Sequence, residues 1–142
     1  MEVSFFHTFR ISGSALTAER LRMDTIANNL ANVNTTRTEA GGPYRRQMPV
    51  FATRTEARPN AHGFRGAGVR VIGIYEDPTP GRLVYEPEHP DADENGYVHY
   101  PNVNVVTEMV DMISATRAYE ANINVINSAR NMALKALEIG RG

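Results

Sequence analysis

All eight prolines of this 142-residue chain lie between positions 43 and 101, and this distribution constrains the fold more than any other feature. Proline removes a backbone donor and clashes with the preceding helical turn, so the middle of the chain cannot form a long helix. The ends, residues 1–42 and 102–142, contain no proline and can form long helices. The sequence therefore predicts helical ends and a non-helical middle.

Large apolar residues recur every seven positions in the first third, as they do along one face of a helix. They are Phe9, Leu16, Met23 and Leu30. The pattern stops at residues 32–36, whose asparagines and threonines favour caps and turns. Gly13 is expected to loosen the start of the helix. We assign the N-terminal helical segment to residues 1–36.

The last third contains a heptad seam that continues for more than four repeats, which indicates a long helix with a partner helix. Its members are Val105, Met109, Met112, Thr116, Tyr119, Ile123, Ile126, Arg130, Ala133 and Leu137. Arg130 needs water or an acidic partner for its guanidinium group. Glu108 suits the positive end of the helix dipole, and Gly140 suits a helix stop. The segment 102–142 is the predicted C-terminal helix.

The middle segment, residues 37–101, has short stretches with the composition of strands. The predicted strands are 44–53, 69–75, 82–85 and 97–100, the last following an Asn95-Gly96 turn. Such an insert is too small for a core of its own. The predicted fold class is therefore α+β, with a β-rich insert between two helical ends.

Two helices with one apolar face each can pair as an antiparallel, coiled-coil-like hairpin. The residues predicted to form this pairing are Leu16, Met23, Ile26, Leu30, Met112, Tyr119, Ile123 and Ile126. The C-terminal face is longer and wider than the N-terminal one can cover, so the remainder needs other chains. Head-to-tail contacts of this kind build open helical assemblies.

Composition excludes several classes of function. The formal net charge of −1 gives no field that would collect nucleic acid, and there is no cysteine for a disulfide, a Cys-ligated zinc or thiol catalysis. No apolar run approaches the roughly 20 residues of a membrane span. The first residues lack the basic start and apolar stretch of a cleaved signal peptide.

No catalytic, cofactor or metal site is expected. The segment 91–96 opens like a calcium-binding loop, but position twelve is Asn102 instead of glutamate, so we interpret it as an acidic turn. The histidines are scattered, at His7, His62, His89 and His99. Arg45 and Arg46 are interpreted as part of a strand face rather than as phosphate contacts.

Residues 27–36, ANNLANVNTT, resemble the signature that ends the N-terminal helix of flagellar rod, hook and hook–filament junction proteins. Three further segments resemble the proximal-rod members of this flagellar axial family: GVRVIGIYEDP at 68–78, RLVYEP at 82–87 and VVTEMVDMISATRAYEA at 105–121. The resemblance extends over essentially the full length. Another axial or adaptor protein of the flagellum remains the alternative.

The resemblance implies a structural, non-enzymatic subunit of the proximal rod, in the basal body within the periplasmic space. Such proteins polymerise with other copies of themselves and with other rod and adaptor proteins, and form a shaft that transmits torque and encloses the export channel. They leave the cell through the flagellar type III export apparatus without a cleaved signal peptide. No nucleic acid and no direct membrane insertion are implied.

Polar helical residues beside the seam are predicted to contact neighbouring subunits, because amide side chains can satisfy backbone groups in a packed bundle. These residues are Asn28, Asn29, Asn32, Arg117, Glu120 and Asn127. The competing interpretation is an ordinary solvated surface, whose contacts contribute little.

Overall fold

The computed structural model describes residues 2–55 and 66–141 of the chain. The elements in order are α1 (Glu2–Ala31), β1 (Gln47–Thr55), β2 (Gly66–Glu76), β3 (Leu83–Tyr85), β4 (Tyr97–His99) and α2 (Val105–Gly140). Two helical ends therefore enclose a β-rich insert, and the predicted α+β class is confirmed. His62 lies outside the described residues.

The helix α1 continues without interruption through Gly13, so this glycine does not break the helix. A single glycine costs a helix only about 1 kcal/mol, which the rest of a 30-residue helix can offset. The helix ends where the asparagine-rich run predicted. The amide of Asn32 donates to the carbonyl of Asn28 (3.1 Å), and the amide of Thr35 then donates to the carbonyl of Asn32 (3.0 Å).

Asn104 caps the start of α2. Its side-chain Oδ1 accepts a hydrogen bond from the amide of Thr107 (3.1 Å), and its carbonyl accepts from the amide of Glu108 (3.0 Å). Asparagine is among the preferred residues here, because it satisfies an amide that the first helical turn leaves unpaired. The helix then runs for 36 residues to Gly140, as the heptad seam predicted.

In the described part of the insert there are two separate two-stranded sheets, one formed by β1 and β2 and the other by β3 and β4. Strands β3 and β4 are antiparallel, with Val84 opposite Val98 and Tyr85 opposite Tyr97. The two tyrosine rings meet edge to face, with centroids 5.2 Å apart. Val98 is completely buried and anchors this small sheet.

The first strand begins at Gln47, three residues later than the sequence pattern predicted. The backbone of the preceding residues bonds elsewhere: the amide of Tyr44 donates to the carbonyl of Thr35 (3.0 Å) and that of Arg46 to Oδ1 of Asn102 (2.8 Å). Aromatic and basic residues that suit a strand are therefore used here in a connecting segment.

The chain forms two compact units. Unit 1 comprises Met1–Leu21, Val50–Gly73 and Ser114–Gly142, and unit 2 comprises Arg22–Pro49 and Ile74–Ile113. Each unit combines pieces of both helices with part of the insert. The division into segments 1–36, 37–101 and 102–142 follows secondary structure instead, and its assignment to inner and outer parts of an assembly stays a prediction.

In the described part of unit 1 the buried residues are all small. They are Ser12, Ala18, Ala67, Ala115 and Ala129. Small side chains allow the backbones of neighbouring elements to approach closely. Across the described residues, neither helix contains a stretch long and apolar enough to cross a membrane.

Candidate functional site

A buried carboxylate organises unit 2. Glu108, in the first turn of α2, is 0% exposed, although charged side chains are rarely buried unless they are paired. Its Oε2 accepts a hydrogen bond from Nδ2 of Asn29 on α1 (3.0 Å), and its Oε1 forms an ion pair with Nε of Arg46. We call Asn29, Tyr44, Arg46, Asn102 and Glu108 the polar junction.

The side-chain amide of Asn29 is fully satisfied inside the chain. Its Nδ2 donates to the carbonyl of Gln47 (2.9 Å) and to Glu108, while its Oδ1 accepts from the amide of Gln47 (2.9 Å) and from the hydroxyl of Tyr44 (2.9 Å). These contacts use the two donors and two lone pairs that an amide possesses. The end of α1 is thereby fixed to the start of β1.

Tyr44 extends the polar junction to the surface of α1. Its hydroxyl donates to Asn29 and accepts from Nδ2 of Asn28 (3.1 Å). Burial raises the pKa of Tyr44, and the negative charge of Glu108 raises it further. The neutral phenol is therefore the form that this environment favours.

Arg46 forms ion pairs with two carboxylates of α2, those of Glu108 and Asp111. Its Nη2 lies 3.3 Å from Oδ2 of Asp111, whose Oδ1 lies 3.8 Å from Nη2 of Arg22 on α1. Two arginines and the two carboxylates of Glu108 and Asp111 thus give a local charge near zero. Arg22 contacts Asp111, and Asn29, which is later in α1, contacts Glu108, which is earlier in α2. The two helices therefore run antiparallel in this unit, which is the direction of the predicted hairpin.

Asn102 connects the segment before α2 to the segment after β2. Its Oδ1 accepts from the amide of Arg46, and its Nδ2 donates to the carbonyls of Asp77 (3.1 Å) and Thr79 (3.0 Å). The hydroxyl and amide of Thr79 both donate to the carboxylate of Asp77, which lowers the pKa of Asp77. This chain of bonds holds three loop segments of unit 2 together.

The polar junction is suited to stabilising the fold of unit 2. Its buried donors and acceptors are already engaged with one another, so none is directed at open space where a substrate could bind. Within residues 2–55 and 66–141 there is no group of three or more histidine, aspartate or glutamate side chains placed to hold a metal ion.

The acidic segment 91–96 forms the turn that the sequence predicted. The amide of Gly96 donates to the carbonyl of Asp93 (2.9 Å), and Oδ1 of Asp93 accepts from the amides of Asn95 (2.9 Å) and Tyr97 (2.8 Å). Gly96 has a φ of 82°, a conformation that favours glycine. Asp91 accepts from the hydroxyl of Thr36 (2.8 Å).

The residues predicted to contact other subunits fall into two groups. Asn29 is 1% exposed and bonded within the chain, and Asn32 donates to the carbonyl of Asn28 (3.0 Å). The other members are exposed; they are Asn28, Arg117, Glu120 and Asn127. The internal role of Asn29 was not anticipated from the sequence, and contacts with other subunits stay a prediction.

Of the residues predicted for helix pairing, Ile26 is buried. The others are half-buried; they are Leu16, Met23, Leu30, Met112, Tyr119, Ile123 and Ile126. The most buried positions of α2 are Glu108, Ala115 and Ala129, which lie beside the predicted seam at multiples of seven residues. Arg130 is exposed, so its guanidinium group reaches water as the sequence required.

The helix α2 presents a large apolar surface. Among the described residues, ten of the eighteen exposed large hydrophobic side chains belong to it. They are Val105, Val106, Met109, Val110, Ile113, Val125, Met132, Leu134, Leu137 and Ile139. We call these ten residues the α2 apolar face. Five of them lie in unit 2 and five in unit 1. Exposed apolar side chains in such number on one helix are typical of an interface.

Sequence reasoning missed the central role of Glu108 and Arg46. The sequence pattern indicates only a helix-dipole role for Glu108 and a strand face for Arg46. The available signal was weak: Glu108 and Asp111 are the only acidic residues among the apolar ones at 105–119. Nothing in the spacing selects Arg46 as their partner, because that contact joins residues 62 positions apart.

Comparisons with known proteins identify relatives along the whole chain. A family described as flagella basal body rod protein matches residues 9–37, and one described as flagellar basal body rod FlgEFG protein C-terminal matches residues 94–139. The flagellar basal-body rod protein FlgC of Borreliella burgdorferi is 49% identical, covering 99% of this chain and 100% of the relative. The FlgC of Bacillus subtilis is 45% identical (96% and 98% covered) and that of Salmonella typhimurium 44% (98% and 100%).

Proposed function

The chain belongs to the FlgC family of flagellar basal-body rod proteins, and from that membership we propose that it polymerises into the proximal rod beside other copies of itself and other rod and adaptor proteins. It is a structural subunit of the basal body. Its relatives are structural proteins, and the proposal contains no enzymatic step and no cofactor.

The α2 apolar face is the observation that carries the proposal. Burying one such side chain stabilises an assembly by about 1.5–3 kcal/mol, so even partial burial of ten would contribute strongly. A rod subunit that gains most of its stability on docking needs a surface of this kind. The predicted pairing residues of the two helices would form the inner part of the rod around the export channel, with the insert outward.

The polar junction gives the proposed subunit stiffness. A network in which every buried group is satisfied restricts the conformations of the segments it joins. In unit 2 it joins the end of α1, the start of β1 and the start of α2. A shaft that transmits torque requires such fixed connections within each subunit.

The cellular location of the subunit and its export route are also part of the proposal. The rod would lie in the periplasmic space, and the subunit would pass through the flagellar type III export apparatus without cleavage or direct membrane insertion. Mass spectrometry of the assembled protein tests this point. An intact N-terminus is expected, and a chain shortened by a signal peptidase would contradict the proposal.

Cryo-electron microscopy of isolated basal bodies tests the position of the subunit. We expect density for this chain in the proximal rod, with its two helices around the central channel. Density elsewhere on the axis would favour the alternative, another axial or adaptor protein. That alternative draws support from the C-terminal match, whose family description names FlgEFG and not FlgC.

A pair of variants tests the α2 apolar face directly. Leu137→Asp places a charge on a side chain that is 65% exposed, so the fold of the free chain should be unchanged while incorporation into basal bodies falls about tenfold or more. Ser128→Asp, at an exposed polar position of the same helix, is the matched control. Equal incorporation of the two variants would show that this face is not an interface.

A further inference from the structure

The fold separates the charges of the chain into a basic and an acidic unit. The ranges of unit 1 contain ten Lys and Arg residues and five Asp and Glu residues, a formal charge of +5. The ranges of unit 2 contain five Lys and Arg residues and eleven Asp and Glu residues, a formal charge of −6. The charges of the two units add up to the −1 of the whole chain. The near-neutral chain therefore carries two strongly and oppositely charged parts.

Three of the ten basic residues of unit 1 line a cleft between α1 and the β1–β2 sheet. The cleft has a volume of about 410 Å³, and its lining includes Arg10, Arg54 and Arg70 together with the hydroxyl-bearing Ser14 and Thr17. Arg54 and Arg70 are exposed. Guanidinium groups arranged around a cleft are suited to carboxylates, because each can donate two parallel hydrogen bonds.

Five of the eleven carboxylates of unit 2 belong to one loop, residues 86–95, between β3 and β4. Successive turns fix the loop: the amide of His89 donates to the carbonyl of Glu86 (3.0 Å), and that of Ala92 to the carbonyl of His89 (3.0 Å). Glu88 and Glu94 project from it as exposed carboxylates. A fixed loop loses little conformational entropy when it is bound.

We propose that the arginine cleft of unit 1 binds the acidic loop of unit 2 from a second copy of this chain. The cleft and the loop are different surfaces, so the contact is heterologous and can repeat from copy to copy in an open assembly. Complementary charge would set the orientation and register of the copies, while the α2 apolar face supplies most of the affinity. This inference rests on the proposed function, because it describes how neighbouring subunits of the rod recognise each other.

Cysteine cross-linking in assembled basal bodies tests the contact, since the natural chain contains no cysteine. Thr17→Cys lies in the cleft and Asn95→Cys on the loop, and neither removes a charge. Oxidation of the double variant should give a covalent species of twice the chain mass or larger. Lys135→Cys with Asn95→Cys is the control outside the cleft, and each single variant controls for links between like positions.

The outcomes separate this inference from the proposed function. If the chain is absent from basal bodies, the proposed function fails and this inference fails with it. If the chain is present and the Thr17–Asn95 pair gives no more cross-linking than the controls, the inference alone is overturned. A cross-link within a single chain, which leaves the mass unchanged, also overturns it, as does a link to a different rod protein.

Charge reversal supplies a second measurement. Arg54→Glu with Arg70→Glu, or Glu88→Lys with Glu94→Lys, should each lower incorporation about tenfold, because attraction becomes repulsion. Combining all four changes should restore incorporation to within about threefold of the natural chain. Arg20→Glu with Lys135→Glu is the control of equal charge change for the arginine pair. Failure of the combined variant to recover would contradict a direct contact between the two surfaces.

Discussion

Glu108 shows how one residue can determine the connections of a whole unit. A buried carboxylate is costly unless it is paired and hydrogen-bonded, and Arg46 and Asn29 provide both. The same contacts join α2 to α1 and to the segment before β1. A change at Glu108 or Arg46 therefore acts on three segments at once.

Removing one member of the ion pair should destabilise the chain more than removing both. Arg46→Met leaves the Glu108 carboxylate buried without its main partner and should cost about 3–5 kcal/mol. Arg46→Met with Glu108→Met should cost less than the single change, because no charge stays buried. Urea unfolding of the single and double variants measures the difference.

Asp111→Asn is the matched control for these variants. The side chain of Asp111 is 34% exposed, so its loss should cost at most about 1 kcal/mol. If Arg46→Met is no more destabilising than Asp111→Asn, the polar junction does not stabilise the unit in the way we describe.

The phenol of Tyr44 predicts a loss of stability at high pH. Burial and the Glu108 charge raise the pKa of Tyr44 above its ordinary 10.0, so the folded chain holds this proton more tightly than the unfolded chain does. The resulting stabilisation is complete below pH 10 and is lost as pH rises through the folded-state pKa. The free energy of unfolding should be measured at pH 8 and at about pH 11 for the natural chain and for Tyr44→Phe. It should fall less between the two pH values in the variant.

Tyr100 is the necessary comparison for that measurement. Its hydroxyl donates to Glu86 (3.1 Å), and this hydrogen bond raises the pKa of Tyr100 in the same direction. Tyr100→Phe should therefore also reduce the fall in the free energy of unfolding at high pH, independently of Tyr44→Phe. An unchanged decline in Tyr44→Phe would contradict the assignment to Tyr44.

At the scale of elements, α1 and β2 approach each other closely at Gly68 in unit 1. Gly68 has a φ of 100°, and a Cβ atom there would collide with the hydroxyl of Ser14. That hydroxyl donates to the carbonyl of Ile11 (2.7 Å) and accepts from the amide of Val69 (3.0 Å). The approach thus depends on the absence of a side chain at one position of the strand.

Gly68→Ala should destabilise the chain by about 1–3 kcal/mol, because it combines a strained backbone with a steric clash. Gly73→Ala in the same strand is the control, since a Cβ atom there would meet nothing within 4 Å. The control should be neutral or slightly stabilising. Thermal unfolding compares the two, and equal midpoints would show that the close approach is not required.

The elements themselves were predictable, while the contacts that join them were not. Proline placement and heptad spacing predicted two helices and an insert, because both act through local backbone geometry. The strand start at Gln47 and the pairing of Arg46 with Glu108 depend on residues far apart in sequence. The predicted heptad seam of α2 lies beside the most buried positions of that helix. Large apolar residues define the sequence pattern, whereas the small residues Ala115 and Ala129 are the ones that are buried.

At the scale of the whole molecule, balanced composition concealed an uneven distribution of charge. Acidic and basic residues alternate closely enough along the chain to predict no strong field, but unit 1 collects its arginines from three separate segments. Only the fold reveals this separation. Sequence reasoning therefore identified the family and the two helices, and it missed both the polar junction and the arginine cleft.

The exposure of the α2 apolar face predicts a difference in order between the free and the assembled chain. Met132, Leu134, Leu137 and Ile139 are all exposed, so the last turns of α2 gain little from tertiary packing. Helical segments shorter than about 12–15 residues are marginal in water without such packing.

Amide hydrogen exchange measured by mass spectrometry should detect this difference. In the free chain, amides after Met132 should exchange at least about tenfold faster than those around Ala115, which is 0% exposed. In isolated basal bodies both regions should be protected, because docking would bury the exposed side chains. Equal protection of the end of α2 in the two states would mean that the free helix is already stable, and that assembly orders nothing there.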